Sequence, residues 1–368
     1  MLALGPGSIK NIASMAKIVG GKNALLVCTP SKRYVADVTK QLNSAGISVM
    51  VFDKIVPNPL AETCDEGARI AVENKVDLVV AIGGGSVMDS AKAIAIVAAD
   101  GGKAWDYVLF RKAIDNRVLP VIAVTTTSGT GSQMTQIAVM SKFETKEKCS
   151  IISWNAIPRV AIVDPKLMLS VSRRSTIETG FDAFAHSFEA FTSQMANPMT
   201  DHVAFESMRI ISMTLKPLTD DLENLELRSR MALADTYAGM ALTNAGATIP
   251  HAMAEAMSGV NHNLVHGHAL ALAYPAFLKF CVDADSARER FTKVGKLFDP
   301  SVTTPHEAIE TIQKWIEGFG LPRGLGQAGF DKSDIPALVS QCVTNIGVDF
   351  PPRTPKAEDF KQFFEDIW

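Results

Sequence analysis

The chain has 368 residues, of which 47% are hydrophobic and 20% are charged, and its formal net charge is −3. A chain of this length favours two domains over a single hydrophobic core. The nearly balanced charge excludes a strongly basic nucleic-acid-binding protein and a chain with a charged interaction tail. The composition is typical of a soluble globular protein.

The cysteines and the N-terminus indicate a reducing compartment. The cysteines are scattered without a Cys-x-x-Cys pair, which favours reduced thiols over a disulfide framework. Glycine and proline interrupt the first residues, which lack the apolar core of a signal peptide. No apolar run approaches the length of about 20 residues that a membrane helix needs. We therefore expect a cytoplasmic protein with no membrane partner. The cysteines are Cys28, Cys64, Cys149, Cys281 and Cys342.

Short apolar runs alternate with amphipathic stretches in the first part of the chain. The runs predict strands over residues 24–28, 47–52, 77–82, 119–125, 137–141 and 159–163. The amphipathic stretches predict helices over residues 35–45, 60–73 and 86–99. This alternation is typical of parallel β-α-β units. The stretch before Gly5 is so short that an edge strand there is nearly absent.

The pattern changes after Asp164 and Pro165. Helical periodicity recurs without a convincing strand, over residues 177–193, 202–215, 227–244, 251–257, 269–280, 284–298, 305–319 and from 356. The sequence therefore predicts an α/β nucleotide-binding domain over residues 1–164 and an all-helical domain over residues 165–368.

A glycine-rich turn follows the predicted strand that ends at Ile82. Gly83, Gly84, Gly85 and Ser86 stand between this strand and the next helix, where backbone N–H groups and the helix N-terminus can bind a pyrophosphate. An ordinary tight turn is the alternative, in which Ser86 caps the helix and Asp89 completes a capping box. The turn matches neither Gly-x-Gly-x-x-Gly nor a Walker loop. Both interpretations therefore stay open, and the two are compatible with each other.

A second polar segment, residues 125–132 (TTTSGTGS), follows another predicted strand. Hydroxyls and glycines at the carboxyl end of a strand suit contacts with phosphate, ribose or a nicotinamide amide. The same residues also form ordinary loops. Two such segments, each at a strand end, favour nucleotide binding.

One carboxylate and several histidines form a candidate metal site in the second part. Asp182 and His186 are four residues apart and share one face of a predicted helix. His251 and His266 reach the same point if the fold brings two further helices together. One oxygen and three nitrogen ligands suit Fe²⁺ or Zn²⁺ and leave a position open for a substrate oxygen. His262 and His268 compete with His266 for its role. Glu255 shares a helical face with His251, and it is either a further ligand candidate or a hydrogen-bond partner of a ligand.

Five motifs in this order resemble those of the iron-dependent (group III) alcohol dehydrogenases. They are residues 83–92 (GGGSVMDSAK), 126–132 (TTSGTGS), 163–165 (VDP), 180–190 (GFDAFAHSFEA) and 266–267 (HG). The resemblance spans nearly the whole chain. It implies a Rossmann-like N-terminal domain and a helical C-terminal domain, the plan shared with dehydroquinate synthase. That plan agrees with the boundary placed at residue 164.

The resemblance also implies roles for individual residues. It places the metal ligands on Asp182, His186, His251 and His266. It places the cofactor-binding residues on Asn58, Gly83, Gly84, Gly85, Ser86, Asp89, Thr126, Thr127, Thr130 and Lys148. The implied function is hydride transfer between NAD(P)(H) and a small primary alcohol or aldehyde, by a homodimer that contains Fe²⁺ or Zn²⁺.

The chain departs from the family pattern at several positions. Glu255 stands where a second histidine is usual, and the interval from His251 to His266 is one residue longer than is common. Glu255 and His262 are the catalytic candidates, but a glutamate at position 255 questions the proton relay that the family has there, and the substrate proton has His262, His268 and water as alternative routes. Gln133 replaces a glutamate. The predicted strand 24–28 is followed by Thr29 and Ser31, where NAD-preferring members often carry an aspartate, so NADP is admissible as well as NAD.

Other functions on the same fold remain alternatives. The first is a zinc-dependent polyol dehydrogenase of the glycerol type, or a metal-independent reductase of unsaturated keto acids. The second is a lyase similar to dehydroquinate synthase, which uses NAD only transiently. The third is a binding protein without activity, which the complete set of competent ligand residues disfavours.

Overall fold

The computed structural model of the chain describes residues 1–114, 117–321 and 323–368. The chain divides into two compact units. Unit 1 consists of Met1–Val171 and Glu223–Thr236, and unit 2 of Ser172–Leu222 and Tyr237–Trp368. The predicted domain boundary at residue 164 stays a prediction.

Unit 1 contains all the strands of the described residues. They are β1 (Leu2–Leu4), β2 (Asn23–Cys28), β3 (Ser48–Phe52), β4 (Leu78–Gly83), β5 (Val121–Thr125), β6 (Ile137–Lys142), β7 (Glu147–Ile152) and β8 (Val160–Val163). Six of them form a parallel sheet in the order β1-β8-β5-β4-β2-β3. The predicted parallel α/β architecture is therefore confirmed. The nearly absent first strand is β1, which has three residues and lies at one edge.

Helices cover both faces of this sheet. They are α1 (Ile12–Val19), α2 (Val35–Ser44), α3 (Ala61–Glu73) and α4 (Gly85–Asp100). Successive side chains of β2 alternate between two apolar clusters, since Leu25 and Val27 pack with α3 and α4 while Ala24 and Leu26 pack with α1 and α2. Burial on both faces explains why these strands are continuous apolar runs in the sequence.

The prediction for residues 137–141 was right about the strand and wrong about its sheet. β6 pairs with β7 in a separate antiparallel hairpin. β7 was not predicted, because Glu147, Lys148 and Ser150 interrupt its apolar residues. Only Lys148 and Ile151 of β7 are buried, so the sequence carries little apolar periodicity to indicate a strand.

Helices make up the regular structure of the described part of unit 2, and the helical C-terminal prediction is confirmed. The helices that follow α4 along the chain are α5 (Arg173–Thr192), α6 (Pro198–Asp220), α7 (Leu225–Ala245), α8 (Ile249–Val260), α9 (His266–Cys281), α10 (Asp285–Gly295), α11 (Pro305–Glu317), α12 (Ile335–Val343) and α13 (Ala357–Asp366). Residues 225–236 of α7 belong to unit 1 and the rest of this helix to unit 2. α1 and α12, eight and nine residues long, were not predicted. None of the helices in the described part of the chain has the length and apolarity needed to cross a bilayer.

Helix α5 is the central helix of unit 2 and is buried from Gly180 to its end. Phe181, Phe184 and Phe188 recur on one face, and all three contact the ring of Tyr274 on α9, with centroids 5.0 to 6.2 Å away. Asp182, His186 and Glu189 are spaced by four and three residues, so they share another face. One helix thus supplies both an aromatic core and a row of ionisable groups.

Candidate metal centre and nucleotide loops

The first nucleotide loop joins β4 to α4. β4 ends at Gly83, Gly84 is the residue before the helix, and α4 begins at Gly85. A helix of sixteen residues directly after a strand presents unpaired backbone N–H groups and a positive dipole end to an anion. The expected capping box is wrong, because the helix starts before Ser86 and Asp89 instead accepts hydrogen bonds from Ser132 Oγ and Val139 N.

The second polar segment packs against this loop. The backbone N–H of Thr126 donates to the carbonyl oxygen of Gly83 over 3.0 Å. A Cβ on Gly85 would lie 2.5 Å from Thr130 Cγ2, and one on Gly84 would lie 3.1 Å from Thr127 Oγ1. A side chain at position 85 would thus collide with Thr130 and one at position 84 would crowd Thr127, so the two glycines permit this close approach. The structure brings the two predicted cofactor segments together.

Asp235 fixes the second segment and was missed by the sequence reasoning. Its carboxylate accepts hydrogen bonds from the backbone N–H groups of Gly129 (2.7 Å) and Gly131 (2.8 Å), and from Gln133 Nε2 (2.7 Å). A glutamate at position 133 would place a second carboxylate beside Asp235, whereas glutamine donates to it. The available signal was an aspartate inside the helical stretch 227–244.

Lys92 joins α4 to the end of the same segment. Its ammonium group is fully buried and donates to Ser132 Oγ (2.8 Å), Thr135 Oγ1 (3.1 Å) and the carbonyl oxygen of Ile137 (2.7 Å). Burial lowers the pKa of Lys92 to about 8, although the carboxylate of Asp89, 3.8 Å away, acts in the opposite direction. The polar side chains of this region are thus joined in one network.

Asn58 and Lys148 were predicted near the nucleotide, and the structure brings them to each other. Lys148 Nζ donates to Asn58 Oδ1 over 3.0 Å. Asn58 has a left-handed backbone with φ of 52°, a conformation that asparagine tolerates better than most residues. Lys148 is buried in β7.

The four predicted metal ligands converge in unit 2. Relative to Asp182 Oδ1, His186 Nδ1 lies at 3.6 Å, His251 Nε2 at 3.5 Å and His266 Nε2 at 3.9 Å. Asp182 and His186 come from α5, and His251 and His266 come from the first turns of α8 and α9. Ligand atoms of Asp182, His186 and His251 all lie within 4.8 Å of one another, with His266 beside this group.

A glycine permits this convergence. A Cβ on Gly267 would collide with the backbone carbonyl oxygen of Glu178 in α5. Helix α9 can therefore begin at His266 against α5 only with glycine in the next position. His266-Gly267 is one of the motifs that carry the family resemblance, but the sequence shows no physical reason for its glycine.

The cluster fits a metal ion better than a network of hydrogen bonds. Asp182 Oδ1 and His251 Nε2 are buried and have no hydrogen-bond partner among the described residues. Tetrahedral ligands about 2.1 Å from Zn²⁺ are about 3.4 Å apart, close to the distances around Asp182 Oδ1. Buried polar atoms without partners are rare in folded proteins, and a coordinated ion would account for them here.

The electrostatics of the cluster agree with this fit. Burial alone would raise the pKa of Asp182, but the surrounding imidazoles, that of His186 most strongly, hold it well below its usual range. Burial likewise opposes protonation of His251, but the carboxylates of Glu189 and Asp182 raise its pKa to about 10. The site therefore attracts positive charge, and a metal ion would displace a proton from it.

The residues at which the sequence departs from the family pattern lie on α8 and just after it. Glu255 is buried one turn beyond His251, and its Oε2 accepts a 2.6 Å hydrogen bond from Asn345 Nδ2. His262 is half-buried in the segment between α8 and α9, and His268 is buried in the first turn of α9. Asn345 was not anticipated from the sequence.

Two family models match the chain. One, described as iron-containing alcohol dehydrogenase, matches residues 1–165. The other, described as Fe-containing alcohol dehydrogenase family, C-terminal, matches residues 176–368. The chain belongs to the iron-containing alcohol dehydrogenase family. The resemblance inferred from the sequence motifs is confirmed.

Individual relatives cover almost the whole chain. The NAD-dependent methanol dehydrogenase of Bacillus methanolicus is 33% identical over 99% of this chain and 97% of its own length. The 1,3-propanediol dehydrogenase of Klebsiella pneumoniae is 32% identical over 99% of this chain and 96% of its own length. The crystal structure of an archaeal halo-thermophilic alcohol dehydrogenase from a Red Sea brine pool has a TM-score of 0.96 at 31% identity, covering 100% of this chain and 96% of that one.

These comparisons confirm the activity class. The chain is a metal-dependent alcohol oxidoreductase, and its family uses iron and NAD. The lyase alternative on the same fold gives way to this assignment. The roles of single residues are not decided by the comparisons, and they are proposals below.

Proposed function

We propose that the metal ion of this enzyme, Fe²⁺ with Zn²⁺ as an alternative, is bound by Asp182, His186, His251 and His266. The observation that carries the proposal is Asp182 Oδ1, which faces imidazole nitrogens at 3.5 to 3.9 Å and has no hydrogen-bond partner among the described residues. One carboxylate oxygen and three imidazole nitrogens suit either ion.

The reaction we propose is reversible oxidation of a small primary alcohol to its aldehyde. A bound Fe²⁺ or Zn²⁺ supplies Lewis acidity, which lowers the pKa of an alcohol hydroxyl and polarises an aldehyde carbonyl. Hydride exchange belongs to the nicotinamide, and the protein contributes binding and orientation. Methanol and 1,3-propanediol, named for two relatives, support a small-alcohol substrate.

His262 and Glu255 are our candidates for the transfer of the substrate proton. Glu255 lies one helical turn after His251, so both occupy one face of α8. Asn345 Nδ2 donates to one oxygen of Glu255 and thereby orients the carboxylate. His262 lies in the short segment that leads to His266. A pH–rate profile that changes in H262N or E255Q would identify the residue that exchanges the proton.

For the nucleotide, we propose binding at the two packed segments of unit 1. Gly83, Gly84, Gly85 and Ser86 would contact the pyrophosphate at the N-terminus of α4. Thr126, Thr127 and Thr130 would contact phosphate, ribose or amide groups, with Asp89, Asn58 and Lys148 nearby as the family suggests. In this proposal, residues 1–164 form the nucleotide-binding domain and residues 165–368 the metal-binding domain.

Both NAD and NADP are candidates in this proposal. Thr29 Oγ1 and Ser31 Oγ lie 2.8 Å apart in a hydrogen bond after β2. Asp53, after β3, is paired with Lys32 at 2.7 Å. Hydroxyls at positions 29 and 31 provide no carboxylate to repel a 2′-phosphate, and the charge of Asp53 is balanced by Lys32.

We further propose that the enzyme is a cytoplasmic homodimer. None of the five cysteines, all of which the structure describes, forms a disulfide, as is usual in a reducing compartment. β1 lies at the edge of the sheet, and Leu2 and Leu4 are 42% and 39% exposed, so this edge is available to a second copy. Light scattering on the purified protein tests the dimer.

The test of the metal and the reaction uses protein purified without oxygen. We expect the wild type to contain iron or zinc and to oxidise NADH or NADPH with small aldehydes. Asp182→Ala should lose bound metal and activity together. His202→Ala is the matched control, because His202 is an exposed histidine of α6, outside the cluster. Normal turnover by metal-free Asp182→Ala would contradict the proposal.

A further inference from the structure

Glu189 is a fully buried carboxylate on the metal-facing side of α5. Its side chain is 0% exposed. It lies about two turns after Asp182, so the two carboxylates share a face of the helix. Glu189 Oε1 lies 2.8 Å from His251 Nδ1, and Oε2 accepts a 2.7 Å hydrogen bond from the backbone N–H of Thr248. Both oxygens of Glu189 thus contact the start of α8.

We propose that Glu189 is a positioning residue of the metal centre, which holds His251 in its metal-binding tautomer and supplies a second buried negative charge. The inference rests on the proposed metal site, since it concerns how that site is prepared. Glu189 itself stands behind His251 and is not one of the proposed ligands.

The tautomer follows from the chemistry of the contacts. A carboxylate only accepts hydrogen bonds, so His251 Nδ1 must carry the proton in its contact with Glu189. Neutral imidazole then has its lone pair on Nε2. His251 Nε2 is the atom that lies 3.5 Å from Asp182 Oδ1. Glu189 therefore directs metal binding to Nε2, from which the ion displaces the proton.

Glu189 also contributes to the charge balance of the centre. Asp182 contributes one negative charge and three neutral imidazoles contribute none, so a divalent ion would leave a buried positive charge. Glu189, in contact with His251, brings the sum to zero. Charges removed from water are tolerated when they are paired and hydrogen-bonded, and each oxygen of Glu189 has a donor.

Glu189 also fixes the position of helix α8. The side chain of Thr248, the residue before α8, makes no capping hydrogen bond to the helix. The carboxylate of Glu189 accepts the N–H of Thr248 itself, as the third helical residue does in a capping box, at a helix end where the dipole favours a negative charge. Since His251 is the third residue of α8, the same carboxylate sets both the helix end and the imidazole.

Substitution of Glu189 separates these effects. Glu189→Gln keeps the shape and an accepting oxygen but removes the charge, and Glu189→Ala removes both. Thr192→Val on the same helix is the matched control, since Thr192 is buried and its hydroxyl bonds the carbonyl oxygen of Phe188. The measurement is the dissociation constant of Zn²⁺, by competition with a chromogenic chelator, on full-length protein checked for folding by circular dichroism.

We expect Glu189→Gln to weaken Zn²⁺ binding by about 10- to 100-fold, the range found when such outer partners are removed, and Glu189→Ala to weaken it more. Thr192→Val should stay within about 2-fold of the wild type, well below that range. NMR of histidine-labelled Zn²⁺ protein should show Nδ1–H at His251 in the wild type and a mixture in Glu189→Ala.

Two results would overturn the inference. One is an unchanged dissociation constant in both Glu189 variants. The other is a Glu189→Gln protein whose metal-free form melts at a lower temperature while its Zn²⁺ affinity and His251 tautomer match the wild type. A failure of the proposed metal site would give a different result. In that case the wild type and Asp182→Ala would bind Zn²⁺ equally well.

Discussion

In unit 1, the buried charges around the nucleotide loops are satisfied by the protein itself, whereas in unit 2 the metal cluster leaves buried atoms unsatisfied. Lys92 donates three hydrogen bonds and Asp235 accepts three. By contrast, Asp182 Oδ1 lies 3.5 Å from His251 Nε2, beyond a hydrogen bond. The buried charged side chains Lys92 and Asp235 beside the nucleotide loops are therefore paired within the protein, while the metal cluster would be completed by the proposed ion.

Removal of the metal should have the largest effect of all. A ligand at a thousand times its dissociation constant stabilises the folded state by about 4 kcal/mol, and the metal-free cluster keeps unpaired buried groups. We expect anaerobic chelation to lower the melting temperature and to increase hydrogen exchange in α5, α8 and α9. Removing NADH should change the exchange of unit 1 much less. Equal effects of both removals would contradict the contrast between the units.

Gly267→Ala should have the next largest effect. The new Cβ would collide with the carbonyl oxygen of Glu178, which is backbone and cannot rotate away. We expect a loss of about 1–3 kcal/mol of folding free energy and weaker metal binding, because α9 and His266 must move. Thermal unfolding and metal titration measure both.

Gly326→Ala is the control for this substitution. Its Cβ would meet its nearest neighbour, the Trp368 ring, at an ordinary 3.5 Å, and Gly326 has no positive φ. A normal metal affinity in Gly267→Ala would show that the close approach of α9 to α5 does not position His266.

Asp235→Asn should affect the nucleotide and spare the metal. The N–H groups of Gly129 and Gly131 both donate to Oδ1, which asparagine keeps as a neutral and therefore weaker acceptor, while its NH2 group takes the place of Oδ2, the acceptor of Gln133 Nε2. We expect the dissociation constant of NADH to rise about 10-fold, which corresponds to about 1.4 kcal/mol. Fluorescence titration of NADH measures it, and metal content should stay at the wild-type level.

Asp77→Asn controls for the loss of a carboxylate in unit 1. Asp77 accepts the backbone N–H groups of Lys22 and Asn23 near the start of β2, away from both loops. If the two variants bound NADH equally well, Asp235 would not be what holds the second loop.

A further prediction for unit 1 is the pH dependence introduced by Lys92. Its pKa in the folded protein is lowered to about 8 from an ordinary 10.5, so above pH 8 the unfolded chain binds more protons than the folded one. The contribution of Lys92 to the free energy of unfolding therefore rises from pH 8 to pH 10.5, and it is lost as the pH falls back through 8. The unfolding free energy of wild type relative to Lys92→Met should increase from pH 7 to about 10. A constant or falling difference would contradict the assignment.

Much of unit 1 and the pairing of Asp182 with His186 could be predicted because both depend on local patterns, whereas the convergence of His251 and His266 with them was implied by the family resemblance. Strands buried on two faces are apolar runs, and Asp182 and His186 share a helix face by spacing alone. β7 and Asp235 escaped prediction for physical reasons: the first is a half-buried polar strand, and the second acts over more than a hundred residues of sequence on the loop at Gly129. Glu189 carried no sign of its contact with His251, because that contact depends on how α5 and α8 pack.

The capping-box error has a similar cause. Ser86 and Asp89 have the right types and spacing for a cap, but the helix starts at Gly85 and Asp89 bonds to Ser132. The sequence could not show that a distant hydroxyl competes for this carboxylate. Three matters remain predictions: which residues bind the metal and the cofactor, whether Glu255 and His262 transfer the proton, and where the domain boundary lies.

Anomalous diffraction at the iron edge, from crystals grown without oxygen, is the most direct test of the central claim. We predict one strong peak about 2.0–2.3 Å from Asp182 Oδ1 and His251 Nε2, with His186 and His266 completing the ligands. Iron-loaded, active crystals with no peak at Asp182 would contradict it.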